Sequence, residues 1–350
     1  LYILSRMKKN LRHLLDFFLK NGAVSRQEIS DKSDLVISPA TLKRYLSELQ
    51  NDGLIQSEGK GKATVYKTTP HLELTYPIDL NSYFLLEQDE RKIRNQFDLE
   101  IFSKLKGLPI FSRDEERKLK GIHDKFLLRI NDFRQEEYQI EMERLAIDLS
   151  WKSSQIEGNT YSLLETELLL KEKKTAKGKT KDEATMLLNH KEAIDFVVAN
   201  SDYASQLSVK IIEELHSILT KDLGINRNIR RRKVGITGTN YNPLDNEFQI
   251  REALENTCQL VNQTSGIYQK CFLTLVLISY IQPFLDGNKR TARILSNAIL
   301  IAYGYCPLSF RTVDPLDYKK AMLVFYERTN LHPMKGLFIN QAEFAVNTYF

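Results

Sequence analysis

The chain is poor in several residues that would settle its class at once. Its 350 residues include one Trp, five Met and three Cys. Cys258, Cys271 and Cys306 are scattered, with no CxxC pair. That pattern reads as buried free thiols in a reducing cytoplasm rather than a disulfide framework. No apolar run reaches membrane-spanning length; the one at 271–280 is too short and leads into a polar loop. No secretory leader is expected, because Arg6, Lys8, Lys9 and Arg12 punctuate an amphipathic start. Internal repeats and low-complexity tracts are also missing. What remains is ordinary globular composition, 42% hydrophobic and 27% charged, in a chain long enough for two or three domains with a real core.

The net charge of +5 is unevenly placed. Residues 1–70 hold 12 Lys and Arg against 7 Asp and Glu, and the rest of the chain is balanced. An excess confined to one end points to a polyanionic partner for that end. Three helical patterns occupy residues 6–52. Leu11, Leu14, Leu15, Phe18 and Leu19 repeat at helical spacing until Asn21 and Gly22 stop them. Ser25 with Glu28 forms a capping box for a second helix that turns Ile29 inward. Ser38 and Pro39 open a third, in which Leu42, Tyr45, Leu46 and Leu49 face a core while Lys43, Arg44 and Ser47 point outward. Residues 54–67 read as a hairpin whose tip carries Gly59, Lys60, Gly61 and Lys62.

Three helices and a basic-tipped hairpin resemble a winged helix-turn-helix over residues 1–70. That likeness implies that the third helix enters a DNA major groove, with Thr41, Lys43 and Arg44 on base edges or phosphates and Lys60 and Lys62 on the backbone or in the minor groove. The same scaffold also serves for protein docking or dimerisation, and a few lysines are commonly just a solvated face. Residues 71–115 read as a linker with a packing helix. Pro70 precedes it, Pro77 and Pro109 interrupt it, residues 79–84 look extended, and residues 87–104 look like a charged helix.

Residues 116–350 form the third region, a mostly helical body with apolar residues three and four apart, such as Phe126, Ile130 and Phe133, or Met142, Leu145 and Leu149. The exception is 233–243, where Val234, Ile236, Thr237, Thr239 and three glycine- or proline-based breaks suggest a short β-hairpin. Residues 272–280 are nearly all apolar, so this helix should be the central buried one. It runs into Gln282, Pro283, Phe284, Leu285, Asp286, Gly287, Asn288, Lys289 and Arg290, with Arg293 one turn on. A Gly-Asn turn at a helix N-terminus presents backbone N–H groups to an anion. Arg290 and Arg293 are three apart and can face one ligand. Asp286 is placed to hold a hard cation such as Mg²⁺ between phosphates. A plain Asp–Arg salt bridge capping a core helix is the competing reading, and it leaves excess positive charge unexplained.

This segment resembles the signature of the Fic family, whose pattern is His-Pro-Phe, any residue, an acid, Gly-Asn-Gly-Arg, two residues and Arg. Pro283, Phe284, Asp286, Gly287, Asn288, Arg290 and Arg293 match. The likeness runs from about residue 90 to the C-terminus. It implies a mainly α fold, an all-helical Fic-type domain with a short β-hairpin flap behind the N-terminal winged helix. It further implies ATP and Mg²⁺ as cofactors, and transfer of AMP to a Ser, Thr or Tyr hydroxyl of a protein, the chain itself included. By the same likeness Asp286 holds Mg²⁺, Gly287 and Asn288 form the anion hole, Arg290 binds phosphate and Arg293 grips the γ-phosphate. Phe284 is then a core anchor, and Thr237, Gly238, Thr239, Asn240 and Tyr241 form the flap that aligns the target. Ser153, Glu157 and Gly158 resemble the family's inhibitory motif, in which Glu157 pairs with Arg293 and blocks the γ-phosphate.

Two positions depart from the pattern. Gln282 stands where active members carry the His that accepts the hydroxyl proton, and no other His is an evident substitute. An amide has no group titrating near neutrality, and losing a positioned base costs ~10²–10⁴ in rate. Lys289 stands where many transferases carry Gly, as in the related Doc-type kinases. The leading expectation is therefore an autoinhibited, cytoplasmic, bacterial-type protein adenylyltransferase scaffold, slow or inactive as written. The alternatives are a nucleotide-sensing DNA-binding regulator and a protein-docking scaffold, and a homodimer is compatible with each.

Overall fold

The structure is a computed structural model that describes residues 9–350; Arg6, Lys8 and the Lys62 side chain lie outside the described residues. The fold is mainly α. Helix α1 (Lys9–Asn21) ends where Gly22, at φ +68°, donates its N–H to the Phe18 carbonyl. Strand β1 (Val24–Ser25) leads into α2 (Arg26–Lys32), with the Ser25–Glu28 capping box formed as the spacing predicts. Helix α3 (Pro39–Asn51) is capped by Ser38 and buries Leu42, Tyr45, Leu46 and Leu49. Strands β2 (Ile55–Glu58) and β3 (Val65–Thr68) pair antiparallel around a 3₁₀ turn at Gly61–Ala63. The hairpin gains a third strand that the sequence reading missed: β1 pairs with β3, giving the order β1-β3-β2. Lys43, Arg44 and Lys60 are exposed and Thr41 is half-buried, its N–H tied to the Ser38 hydroxyl.

Helix α4 (Pro70–Thr75) sits between two apolar cores. Leu72 packs into the core of the first three helices, and Leu74 into the much larger core of the body. The junction is fixed by backbone bonds: Leu331 N–H donates to the Leu74 carbonyl at 2.7 Å, and the Asn330 amide donates to the carbonyls of Glu73 and Tyr76.

The connector departs from its expected structure. Residues 79–84 are not extended: Asp79 caps a one-turn helix, α5 (Leu80–Tyr83). Residues 87–104 are not a helix: they run as turns and open chain until α6 (Ile101–Leu105). The reason is tertiary. The Arg91 guanidinium donates to both oxygens of Glu327, at 3.1 and 3.0 Å, and to the Gly238 carbonyl at 2.5 Å. Arg94 N–H donates to the Glu327 carbonyl. These partners lie on other elements, and a continuous helix could not reach them all, so local propensity loses.

The body contains α7 (Arg113–Asp132), α8 (Gln135–Ile156), α9 (Leu163–Glu172), α10 (Lys181–Ala199), α11 (Val209–Leu219), α12 (Glu247–Gln263), α13 (Ile267–Ile281), α14 (Asn288–Ala302), α15 (Pro315–Arg328) and α16 (His332–Tyr349). Helix α13 is the central one, buried without interruption from Cys271 to Ile281. No apolar stripe is needed on a helix surrounded on all sides. Residues 233–243 form no hairpin. Their only ladder contact is an isolated parallel bridge between Gln96 and Asn242. The β-branched residues there have no strand partner, and Tyr241 is drawn into the core by stacking near Tyr280 and Tyr326, at 5.1 and 5.6 Å. No helix among the described residues is long and apolar enough to cross a membrane.

Candidate active site

The site is built where α13 stops and α14 starts. Gln282 terminates α13 in a left-handed conformation, φ +51° and ψ +58°. A non-glycine residue there is uncommon and must be held. Its amide nitrogen donates to the Ser279 carbonyl at 2.6 Å, and its amide oxygen accepts from Asn288 Nδ2 at 3.0 Å. Its backbone carbonyl accepts from Arg230 Nε at 2.6 Å. Arg230 also donates its backbone N–H to Pro283 and its guanidinium to the Leu244 and Arg232 carbonyls. Arg230 was not singled out from the sequence. It lies in a basic run, Arg230 to Lys233, in which it alone is buried.

Asn288 closes the loop. Its side chain accepts from the Phe284 N–H and donates to the Phe284 carbonyl, both at 2.8 Å. Gly287 takes φ +81°, and a Cβ there would come within 3.2 Å of Thr220 and 3.4 Å of His216. Phe284 is fully buried, its ring stacked face to face on His216 at 3.6 Å. His216 Nε2–H donates to the Asp286 carbonyl at 3.0 Å. Burial pushes the His216 pKa down to about 4, so the ring is neutral at pH 7. His216 is a second residue the sequence reading passed over; one histidine on an amphipathic helix carries no distinguishing signal.

The charged groups are close together. Asp286 is largely exposed. One carboxylate oxygen caps the Gly287 N–H at 2.6 Å, and the other lies 3.4 Å from Arg290. Arg290 and Arg293 are both buried. Arg293 Nε and Nη2 donate to the hydroxyl and carbonyl of Ser153, at 2.8 and 2.9 Å, and Nη2 also reaches Glu157 Oε1 at 2.8 Å. Glu157 Oε2 lies 3.5 Å from Lys289. Burial alone would raise the Glu157 pKa, but Arg293, then Lys289 and Arg290, outweigh it and hold the carboxyl below its ordinary range. Arg290 Nε and Nη1 and Arg293 Nη1 are buried donors with no protein acceptor. Such groups cost free energy unless something accepts from them.

A cleft of about 730 Å³ opens beside this cluster, lined among others by Glu157, Gln282, Lys289, Gly238, Lys319 and Tyr326. Arg290, Arg293, Asp286 and Asn288 are not in its wall; Glu157 lines the cleft and Arg293 holds it from behind. Thr237 and Gly238 reach the cleft, and Asn240 is exposed. Thr239 and Tyr241, expected to face a target, are instead buried, and they anchor the segment: Thr239 Oγ1 accepts from the Tyr241 N–H and the Tyr241 hydroxyl donates to the Tyr280 carbonyl.

Residues 206–300, which hold the whole loop from Gln282 to Arg293, match the model of the Fic/DOC family. This stretch is similar to the Fic/DOC family. Protein adenylyltransferase Fic of Nematostella vectensis is 27% identical over 216 residues, 57% of this chain and 50% of that protein. Protein adenylyltransferase fic-1 of Caenorhabditis elegans is 22% identical over 251 residues, 69% of this chain and 48% of that protein. The chain thus spans about half the length or less of these curated relatives. Among solved structures, Fic-1 of C. elegans aligns with a TM-score of 0.59 at 22% identity, covering 67% of this chain and 72% of that one. A Fic family protein from Desulfovibrio desulfuricans G20 aligns with a TM-score of 0.56 at 17% identity, covering 69% and 75%. At these identities the structures speak for the helical fold shared with the Fic/DOC domain.

Proposed function

We propose that the cleft binds ATP with its phosphates at the Gly287–Asn288 turn, and that the protein is a Fic-type adenylyltransferase scaffold restrained by Glu157 and slowed by Gln282. The observation that carries this is the Glu157–Arg293 contact at 2.8 Å, beside buried guanidinium donors that lack an acceptor. A γ-phosphate oxygen would take the place of the Glu157 carboxylate on Arg293, and Arg290 would serve the inner phosphates. Among the described residues no cluster of three or more His, Cys, Asp or Glu could hold a metal on its own. A single exposed carboxylate, Asp286, fits Mg²⁺ bound mainly through phosphate oxygens and water, and the ion would there neutralise phosphate charge. In the transfer, a Ser, Thr or Tyr oxygen bonds to the α-phosphorus, the bond to the bridging oxygen breaks and pyrophosphate leaves. The hydroxyl proton needs an acceptor. The Gln282 amide supplies none, and its nitrogen and oxygen are already bonded to Ser279 and Asn288. Incubating the Glu157→Gly variant, with and without Gln282→His, in labelled ATP and Mg²⁺ tests this reading. Self-labelling only with His supports it; no ATP binding by either variant refutes it.

A second reading rests on the N-terminal module. Lys43 and Arg44 are exposed on the same helix that buries Leu42 and Tyr45, and Lys60 is exposed at the hairpin tip. This fits a winged helix holding DNA, with Thr41, Lys43, Arg44, Lys60 and Lys62 as its contacts, and makes the body a nucleotide sensor rather than a working transferase.

A further inference from the structure

A second cavity, of about 580 Å³, lies at the opposite end of α13 from Gln282, roughly 20–25 Å away along the helix. It sits between α7, the loop that follows α6, the C-terminal end of α12 and the first turn of α13. We propose that this cavity binds a small aromatic carboxylate, its carboxylate on the first turn of α13 and its ring against an aromatic floor.

The anion end comes from the helix start. The N-cap of α13 is Gly266, which has no side chain to accept a hydrogen bond, and no acid stands in the first turn. Among the described residues nothing accepts from the N–H groups of Ile267, Tyr268 and Gln269. The backbone does not require glycine there: φ is −77°, and a Cβ would meet only Gln269, at an ordinary 3.6 Å. Such an open start holds an anion through its N–H donors and the helix dipole. Gln269 is committed elsewhere. Its Oε1 accepts from the Ile110 N–H and its Nε2 donates to the Leu108 carbonyl, which holds the 107–110 loop against the helix start. Lys106 and Lys120 line the cavity against one acid, Glu116, and neither lysine forms an ion pair among the described residues.

The side chains around this turn point to a ligand independently. Tyr268 faces the cavity and is only 8% exposed, yet its hydroxyl has no hydrogen-bond partner among the described residues. Nδ1 of His123, on the facing α7, is a sealed ring nitrogen that also lacks a partner. Buried polar groups are normally satisfied, so two unpaired ones around one cavity call for a ligand with polar atoms. The floor sets the rest of its chemistry. His123 stacks face to face on Tyr305, with ring centres 3.6 Å apart, and Tyr268 meets Tyr305 edge-on at 5.0 Å. Burial lowers the His123 pKa, so the stacked rings are neutral at pH 7. Phe111, Leu119 and Leu260 add apolar wall. A flat ring fits these surfaces, and a single carboxylate fits one helix turn. A polyphosphate would have to bury further charge against Phe111 and Leu119.

The test titrates the full chain calorimetrically with benzoate, phenylacetate and indole-3-acetate, and with the uncharged alcohol matched to the best binder. At least one acid is expected to bind saturably, and its alcohol about tenfold more weakly or worse. Gly266→Asp places an intramolecular carboxylate on the same N–H groups. It should raise the melting temperature and still weaken the acid about tenfold, a combination that loss of structure does not produce. Lys106→Ala with Lys120→Ala, at two exposed positions, should weaken the acid and leave the alcohol unchanged. Saturable binding by none of the acids, equal affinity for acid and alcohol, or acid affinity unchanged in either variant overturns the inference.

Discussion

Glu157 and Arg293, 136 positions apart in the chain, meet at 2.8 Å behind the cleft wall, and Lys289 approaches the same carboxylate at 3.5 Å. Two cations on one acid make this more than a helix-end contact. Arg293 is fully buried, so removing its partner leaves a charge with only neutral groups, Ser153 and the Tyr318 ring, against it. Breaking a buried pair from one side costs about 3 kcal/mol or more. Glu157→Gly should therefore lower the melting temperature of the ligand-free chain by several degrees, and tripolyphosphate should restore it. Differential scanning calorimetry with and without that anion checks both halves.

Gln282→His addresses the chemistry. In the Glu157→Gly background it should raise the rate of transfer from labelled ATP by about 10²–10⁴, the usual worth of a positioned base. ATP affinity should hardly change, since the residue contributes no phosphate contact. A rise in affinity without labelling would place residue 282 in ground-state binding instead.

Much of this was legible in sequence, and the legible part has a common cause. The Ser25–Glu28 capping box, the nearly all-apolar run at 272–280 and the Gly-Asn turn each depend on residues close together in the chain. Arg230, His216 and the connector depend on distant partners. Nothing near Arg230 in the chain shows that the carbonyls of Leu244 and Gln282 will converge on it. Residues 87–104 have a helical composition, yet Glu327, some 230 positions away, decides their path. The hairpin expected at 233–243 failed for the same reason, because β-branched residues make a strand only when a partner is present.

Arg230→Ala should be among the most damaging substitutions near the loop. It strands the carbonyls of Gln282, Leu244 and Arg232. Each buried group left unpaired costs about 1–3 kcal/mol. We expect a loss of at least about 3 kcal/mol in urea unfolding, together with weaker ATP binding.

Stability should fall in mild acid. His216, held to about 4, and His190, pushed well below its ordinary range by burial and then by Arg293 and Arg290, are neutral when folded. In the unfolded chain each takes up a proton near pH 6.5. The unfolded state thus binds more protons below that pH, so the contribution is complete above pH 6.5 and is lost as pH falls towards 4. For His216 alone the window corresponds to about 3 kcal/mol. Unfolding free energy measured from pH 7 to 4.5 should show the decline, with a shallower slope in His216→Gln.

For the N-terminal module, Lys43→Ala with Arg44→Ala should weaken DNA binding and reduce the slope of log K against log salt by about 2. Binding that ignores salt would assign the exposed basic face another partner.

The most direct single measurement is a calorimetric titration of Mg²⁺ and ATP into the chain and into Glu157→Gly. If the Glu157 carboxylate occupies the place of a γ-phosphate on Arg293, the variant binds at least tenfold tighter than the parent. Identical affinity in the two proteins, or no binding in either, would contradict it.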